Sequence, residues 1–160
     1  MKFEREHYIE KLISSKHNHL IKIVTGLRRV GKSYLLLNLY KQHLLDNGAD
    51  TSHIIEIKLD SFAHRKYRKA ETLYEYVENL TKQDSQMYYV IIDEVQMLED
   101  FVDVLNGFLH IDNLDVYVTG SNAKFLSSDI VTEFRGRGVQ IHLQPLSFKE
   151  IKEKSNDDTA

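Results

Sequence analysis

An apolar run, Leu20-Ile21-Lys22-Ile23-Val24-Thr25, breaks at Gly26 and resumes after Gly31 as a leucine-rich helical pattern. A buried strand must turn there into a helix. The turn, Gly26-Leu27-Arg28-Arg29-Val30-Gly31-Lys32-Ser33, matches G-x-x-x-x-G-K-[ST]. Each residue type has a physical reason. Glycines let the backbone curl around an anion with no Cβ in the way. The curled amides and the helix N-terminus aim N–H groups at it. Lys32 brings a compact positive charge to β and γ phosphates, and Ser33 offers a hydroxyl to Mg²⁺. Gly26, Leu27, Arg28, Arg29, Val30, Gly31, Lys32, Ser33 and the adjoining Tyr34 are the expected nucleotide-binding residues. Arg28 and Arg29 either contact phosphates, reach a neighbouring subunit, or simply face solvent near an anionic ligand.

Around this turn, strand-like and helix-like patterns alternate. Residues 4–16 read as an amphipathic helix with Tyr8, Ile9, Leu12 and Ile13 on one face. After Lys32, Leu35, Leu36, Leu39 and Leu44 recur at helical spacing until Asp46-Asn47-Gly48 stops them. Residues 53–59 alternate like a strand, and residues 61–82 are polar with helical character through Leu73, Tyr76, Val77 and Leu80. A continuous apolar run over 88–92, a helix around Phe101–Leu109, and strands over 116–119 and 139–143 follow. This order predicts an α/β domain with a mainly parallel sheet. In such sheets ligands gather at the carboxyl ends of the strands.

Two carboxylates close the third apolar run, Val90-Ile91-Ile92-Asp93-Glu94. A hard cation that also holds phosphates needs only one or two protein carboxylates. Asp93 is therefore expected to hold Mg²⁺, leaving Glu94 to orient or deprotonate the attacking water. Val116-Tyr117-Val118-Thr119-Gly120-Ser121-Asn122 ends in small polar groups. If that strand lies between those of Gly26 and Asp93, Ser121 or Asn122 reaches the γ-phosphate or the water; the alternative is an ordinary polar turn. Phe134-Arg135-Gly136-Arg137-Gly138 supplies arginines before the last strand. A guanidinium near the γ-phosphate stabilises transition-state charge, whereas a surface turn is the commoner fate of an arginine.

Composition excludes several classes. The chain has 160 residues, a net charge of −3 and no cysteine, so disulfides and thiolate metal sites are absent. No stretch approaches the roughly 20 apolar residues that span a bilayer, and the charged start lacks an apolar signal core. A cytoplasmic location without membrane contact is the expectation. His17 and His19 have no partner at a metal-ligand spacing and read as surface histidines. His64-Arg65-Lys66-Tyr67-Arg68-Lys69 either tracks a nucleic-acid backbone or forms a solvated helix face, the commoner outcome.

Taken together, Gly26–Ser33, Ile92-Asp93-Glu94-Val95-Gln96, Val118-Thr119-Gly120-Ser121-Asn122, Gly136-Arg137 and Gln144-Pro145-Leu146-Ser147-Phe148-Lys149-Glu150 resemble the prokaryotic AAA-type P-loop ATPases. In that family such a domain precedes one of unknown function with a nuclease-like fold. The resemblance runs from about Leu20 to Glu150. It implies a P-loop NTPase three-layer sandwich with a parallel sheet in 5-1-4-3-2 order. It further implies Ser121 or Asn122 as polar sensor and Arg137 as the site arginine, with Arg135 a competitor for that role. By this reading residues 1–19 are a helical lead-in, 20–150 the ATPase domain, and 151–160 a polar tail before an absent C-terminal region. ATP and Mg²⁺ are the implied cofactors, Glu94, Lys32, Arg137 and Asn122 the catalytic set, and Ser33 with Asp93 the metal ligands. A homo-oligomer is a further implied partner.

The functional expectation is an ATPase that drives or switches a conformational change. Its alternatives are a regulatory nucleotide-binding module with little turnover, a nucleic-acid-associated ATPase, and a small-molecule phosphotransferase, against which Glu94 argues.

Overall fold

A computed structural model describes residues 2–26, 31–121 and 132–144. Leu27, Arg28, Arg29, Val30 and Asn122, all expected in the nucleotide site, lie outside the described residues, as does the expected tail.

Helix α1 (Lys2–Ser14) leads into strand β1 (Ile21–Thr25). Helix α2 follows the glycine turn in three parts: an α-turn over Lys32–Tyr34, π-helical turns over Leu35–Tyr40, and α-helix again over Lys41–Asp46. Then come β2 (Ile54–Lys58), α3 (Ala70–Thr81), β3 (Tyr88–Asp93), α4 (Phe101–Phe108), β4 (Leu114–Gly120) and β5 (Gly138–His142).

The five strands form one sheet in the order β2-β3-β4-β1-β5, every pair parallel, as the resemblance implied. The central strands β1, β3 and β4 are buried along their whole length, which is why they read as nearly continuous apolar runs. One face presents Ile23, Ile57, Ile92 and Val118 to Leu73 and Val77 of α3 and to Leu105 and Phe108 of α4. The other presents Val24, Ile91 and Tyr117 to Leu35, Leu36 and Tyr40 of α2. Tyr8 and Leu12 of α1 are buried in this second core, so the expected lead-in is an integral part of the layer.

Two elements depart from their expected form. The helical stretch 61–82 is broken: Phe62–Arg68 is a 3₁₀ helix, and Lys69, in extended conformation, separates it from α3. The Arg68 Nε donates to the Leu59 carbonyl at 2.8 Å, and its own carbonyl accepts from Glu99 N at 2.8 Å. These bonds hold the segment against the strand end instead of letting it continue α3. In α2 the Lys41 N–H reaches back five residues to Leu36 O. The extra residue in that turn lets Leu35, Leu36 and Tyr40 all face the core.

Candidate functional site

The carboxyl ends of β1, β3 and β4 lie side by side and carry the polar groups of the site. Gly31 sits at φ 96° just before α2, a conformation a side chain would strain. Its carbonyl accepts from Leu35 N at 2.9 Å, starting the helix. Lys32 is only 4% exposed, and its Nζ donates to Gly26 O at 3.0 Å. The ammonium is thus held inside the turn.

On β3, Asp93 is buried, and two hydroxyls converge on its Oδ1: Ser33 Oγ at 2.7 Å and Thr119 Oγ1 at 2.6 Å. Because Ser33 gives its proton to Asp93, its oxygen lone pairs remain for a cation. A hydroxyl beside one carboxylate is the hard-oxygen donor set that suits Mg²⁺ sharing phosphate oxygens. No cluster of three or more His, Asp or Glu that could hold a metal exists among the described residues. The donors therefore fit a phosphate-bound cation better than a metal held by protein alone.

Glu94 turns away from the strand in the left-handed region, φ 58° and ψ 53°. For a non-glycine residue this costs about 1 kcal/mol. Its N–H donates to Thr119 Oγ1 at 2.9 Å, so one hydroxyl fixes both acids. Its carboxylate Oε2 accepts from Gln96 Nε2 at 2.5 Å and Ser121 Oγ at 3.0 Å. The other end of the Gln96 amide, Oε1, is buried and has no hydrogen-bond partner among the described residues. Reversing the amide would set that oxygen against the carboxylate, so the orientation is fixed by charge.

Beyond Ser33 and Asp93, towards the edge strand, an open cleft of about 580 Å³ is lined by Tyr34, Lys41, Glu56 and Lys58 among others. Lys58 is the register partner of Asp93, which puts both side chains on one face of the sheet. Lys41 Nζ and Glu56 Oε1 pair across the cleft at 2.8 Å.

The structure thus brings together Gly26, Gly31, Lys32, Ser33, Tyr34, Asp93, Glu94 and Ser121. It does not bring Arg137 there. The Arg137 carbonyl accepts from Ile21 N at 2.8 Å, which places the residue at the amino end of the sheet. β1 and β5 pair in parallel from Ile21 and Gly138 onward. Arg137 therefore lies a strand length, about 16 Å, from the carboxyl ends. Its Nη1 donates to Asn106 Oδ1 at 2.9 Å and its Nη2 to Glu133 O. Arg135 belongs to the same exposed turn. Within one chain, the Arg137 guanidinium is bonded away from the phosphate turn.

Thr119 was not singled out in the sequence. Its signal was alternation: Tyr117, Thr119 and Ser121 share one side of a strand neighbouring Asp93. A second polar system was also missed. Lys22 Nζ pairs with Asp115 Oδ1 at 2.5 Å, and Tyr117 OH donates to Asp115 Oδ2 at 2.6 Å. Tyr40 OH lies 2.5 Å from Tyr117 OH. The network grips the helix that begins with Lys32 and Ser33. Burial pushes the Tyr117 and Tyr40 phenols well above their ordinary range, so both stay neutral. Burial also lowers the Lys22 ammonium, against the opposing pull of Asp115.

The family model described as "AAA domain" matches residues 18–152. A Haemophilus influenzae protein described as uncharacterized is 34% identical over 155 residues, covering 97% of this chain and 38% of that protein. Among solved structures, the Saccharomyces cerevisiae Hsp104:casein complex matches with a TM-score of 0.63 at 18% identity, covering 91% of this chain and 28% of that one. AMPPCP-bound DnaA from Aquifex aeolicus matches with a TM-score of 0.59 at 17% identity, covering 96% and 50%. The likenesses establish the fold; the chain spans well under half of the Haemophilus relative's length.

Proposed function

The chain belongs to the AAA-domain family, and from that premise we propose that it binds Mg²⁺·ATP at the Gly26–Ser33 turn and hydrolyses it to drive or switch a conformational change. One observation carries the reading. A continuous hydrogen-bond chain, Ser33–Asp93–Thr119–Glu94, gives two adjacent acids separate environments.

Mg²⁺, when bound, neutralises charge developing on the β and γ oxygens. Ser33 Oγ and the Asp93 carboxylate are the groups that hold it. Lys32 exchanges its bond to Gly26 O for the phosphates, a stronger acceptor. The backbone amides of a glycine-bounded turn are the groups suited to cradle the same phosphates. Glu94 keeps Oε2 bonded to Gln96 and Ser121, which aims Oε1 at the water. The water oxygen bonds to the γ phosphorus, the β–γ bridging bond breaks, and the proton passes to Glu94 Oε1. ADP and phosphate leave. Asn122, next to Ser121, senses the γ-phosphate. The coupled motion acts on parts of a longer chain, such as a C-terminal domain, or on another copy. The absence of cysteine suits the reducing cytoplasm.

A second reading, a nucleotide sensor with little turnover, is favoured by Arg137 lying away from the site of its own chain. Calorimetric titration with Mg²⁺·ATP and a phosphate-release assay test both. Lys32→Ala should weaken ATP binding on the order of a hundredfold. Glu94→Gln should retain binding and lose turnover on the order of a hundredfold or more. Unchanged affinity in the lysine variant would remove the site. Wild-type binding without release at any protein concentration would select the sensor.

A further inference from the structure

We propose that the Phe62–Lys69 segment binds single-stranded nucleic acid. Residues 61–70 hold Arg65, Lys66, Arg68 and Lys69 with no acidic residue, in a chain whose net charge is −3. Four of the chain's 21 Lys and Arg residues are thus gathered in one ten-residue strip.

Phe62 is 82% exposed, the most exposed large apolar side chain described. In a 3₁₀ helix, side chains three apart eclipse. Phe62 and Arg65 therefore stack, the guanidinium 5.5 Å from the ring centroid. Lys66 and Lys69 are exposed as well, Lys69 in the extended residue that follows the 3₁₀ turn. The result is a flat π surface beside a row of cations. Unstacked bases offer a π face to the first and phosphates to the second. An acidic peptide would use only the charge, and a duplex hides its base faces. The 7 residues of Phe62–Arg68 span about 14 Å at about 2.0 Å each, a length that suits a few nucleotides.

The strip is held in place before any ligand arrives. His64 Nδ1 accepts from Lys58 N at 2.8 Å, and Arg68 Nε donates to Leu59 O at 2.8 Å. Leu59 N in turn donates to Asp93 O at 3.2 Å. One residue, Leu59, therefore links the strip's anchor, Arg68, to Asp93. Resting on the ATPase reading, this linkage makes the bound strand a regulator of hydrolysis.

The test is fluorescence anisotropy of a labelled oligothymidylate with the intact chain, first without nucleotide, at several salt concentrations. Binding should weaken steeply with salt. The triple variant Arg65→Glu, Lys66→Glu, Lys69→Glu should lose at least about tenfold in affinity. At about 0.7 per contact, three phosphate contacts account for a slope of about 2 in log affinity against log salt, which the triple variant should lose. Phe62→Ala should lose about tenfold with the slope unchanged. All four residues are exposed, and unaltered melting curves confirm that the variants fold. No binding at 50 mM salt, on the scale where such contacts are strong, overturns the proposal. So does equal binding by the triple variant, or equal competition by polyglutamate. Separate titration with a fluorescent ATP analogue reports the nucleotide site on its own. Oligonucleotide binding with no effect on phosphate release overturns the regulatory linkage alone.

Discussion

The backbone N–H of Glu94 donates to the side-chain oxygen of Thr119, 2.9 Å away on the neighbouring strand. That bond holds Glu94 in its left-handed conformation, and the same hydroxyl passes its proton to Asp93. A single hydroxyl on the neighbouring strand thus sets the geometry of both acids. Thr119→Val keeps the β-branched shape and removes the hydroxyl. It leaves a part-buried N–H without its acceptor, at about 1 kcal/mol or more. Melting should fall accordingly. Phosphate release should fall at least about tenfold while ATP affinity changes little, because misplacement of the water, not loss of binding, is the defect. Full turnover in a destabilised variant would show that Thr119 serves the fold alone.

Gln96 and Ser121 share one oxygen of Glu94. Gln96→Ala removes one of two donors and frees the carboxylate to rotate. Steady-state kinetics should show kcat lower on the order of tenfold, with KM for ATP nearly constant. Stability should change little, since the variant also removes the buried, unpartnered Oε1. A matching rise in KM would instead place Gln96 against the nucleotide.

Arg137 tests the separation of the two sheet ends. Its guanidinium is committed to Asn106 and Glu133. Arg137→Ala should leave ATP affinity at high dilution unaltered and stability within about 0.5 kcal/mol. If the arginine serves a neighbouring copy, turnover of the wild type should rise with protein concentration and that of the variant should not. Weakened binding by dilute Arg137→Ala would return the residue to its own chain's site.

Burial lowers the ionisation of His17 and of His43, each from an ordinary 6.5. The unfolded chain therefore binds these protons more readily than the folded one. Their stability contribution is complete above the unfolded value of 6.5 and is lost as pH falls below it. Melting at pH about 5 should lie below that at pH about 7.5, and His17→Gln should flatten part of the slope. Equal melting at both values would contradict the partial desolvation of the two rings.

Much of the fold was legible because its signals are local. The Gly26–Ser33 turn and the apolar run ending in Asp93-Glu94 each announce a strand end. The resemblance then supplied the strand order, which no local pattern encodes. Thr119, Lys58 and the break at Lys69 were not legible, because each depends on what lies across the sheet. Thr119 becomes meaningful only with Asp93 beside it, and the 61–82 stretch breaks because Arg68 is captured by Leu59. Arg137 shows the converse: a motif residue whose strand direction carries it to the amino end of its own sheet.

Lys22 and Asp115 illustrate that dependence on sheet pairing most directly. Each looks like an interruption in an apolar strand, yet both lie buried on one face, 2.5 Å apart. Removing one partner strands a charge in the core. Asp115→Ala should cost about 3–5 kcal/mol, a large part of a domain's total of about 5–15 kcal/mol. It also takes the acceptor from Tyr117, loosening the grip of Tyr40 on the helix that carries Lys32 and Ser33. Lys22→Met should cost similarly, because the carboxylate then stands alone. The double variant Lys22→Met, Asp115→Leu removes both charges and should recover most of the loss. Urea unfolding of the four proteins forms a complete cycle. Additive losses would mean that the two charges do not sense each other, and the buried pair would have no role in seating the helix.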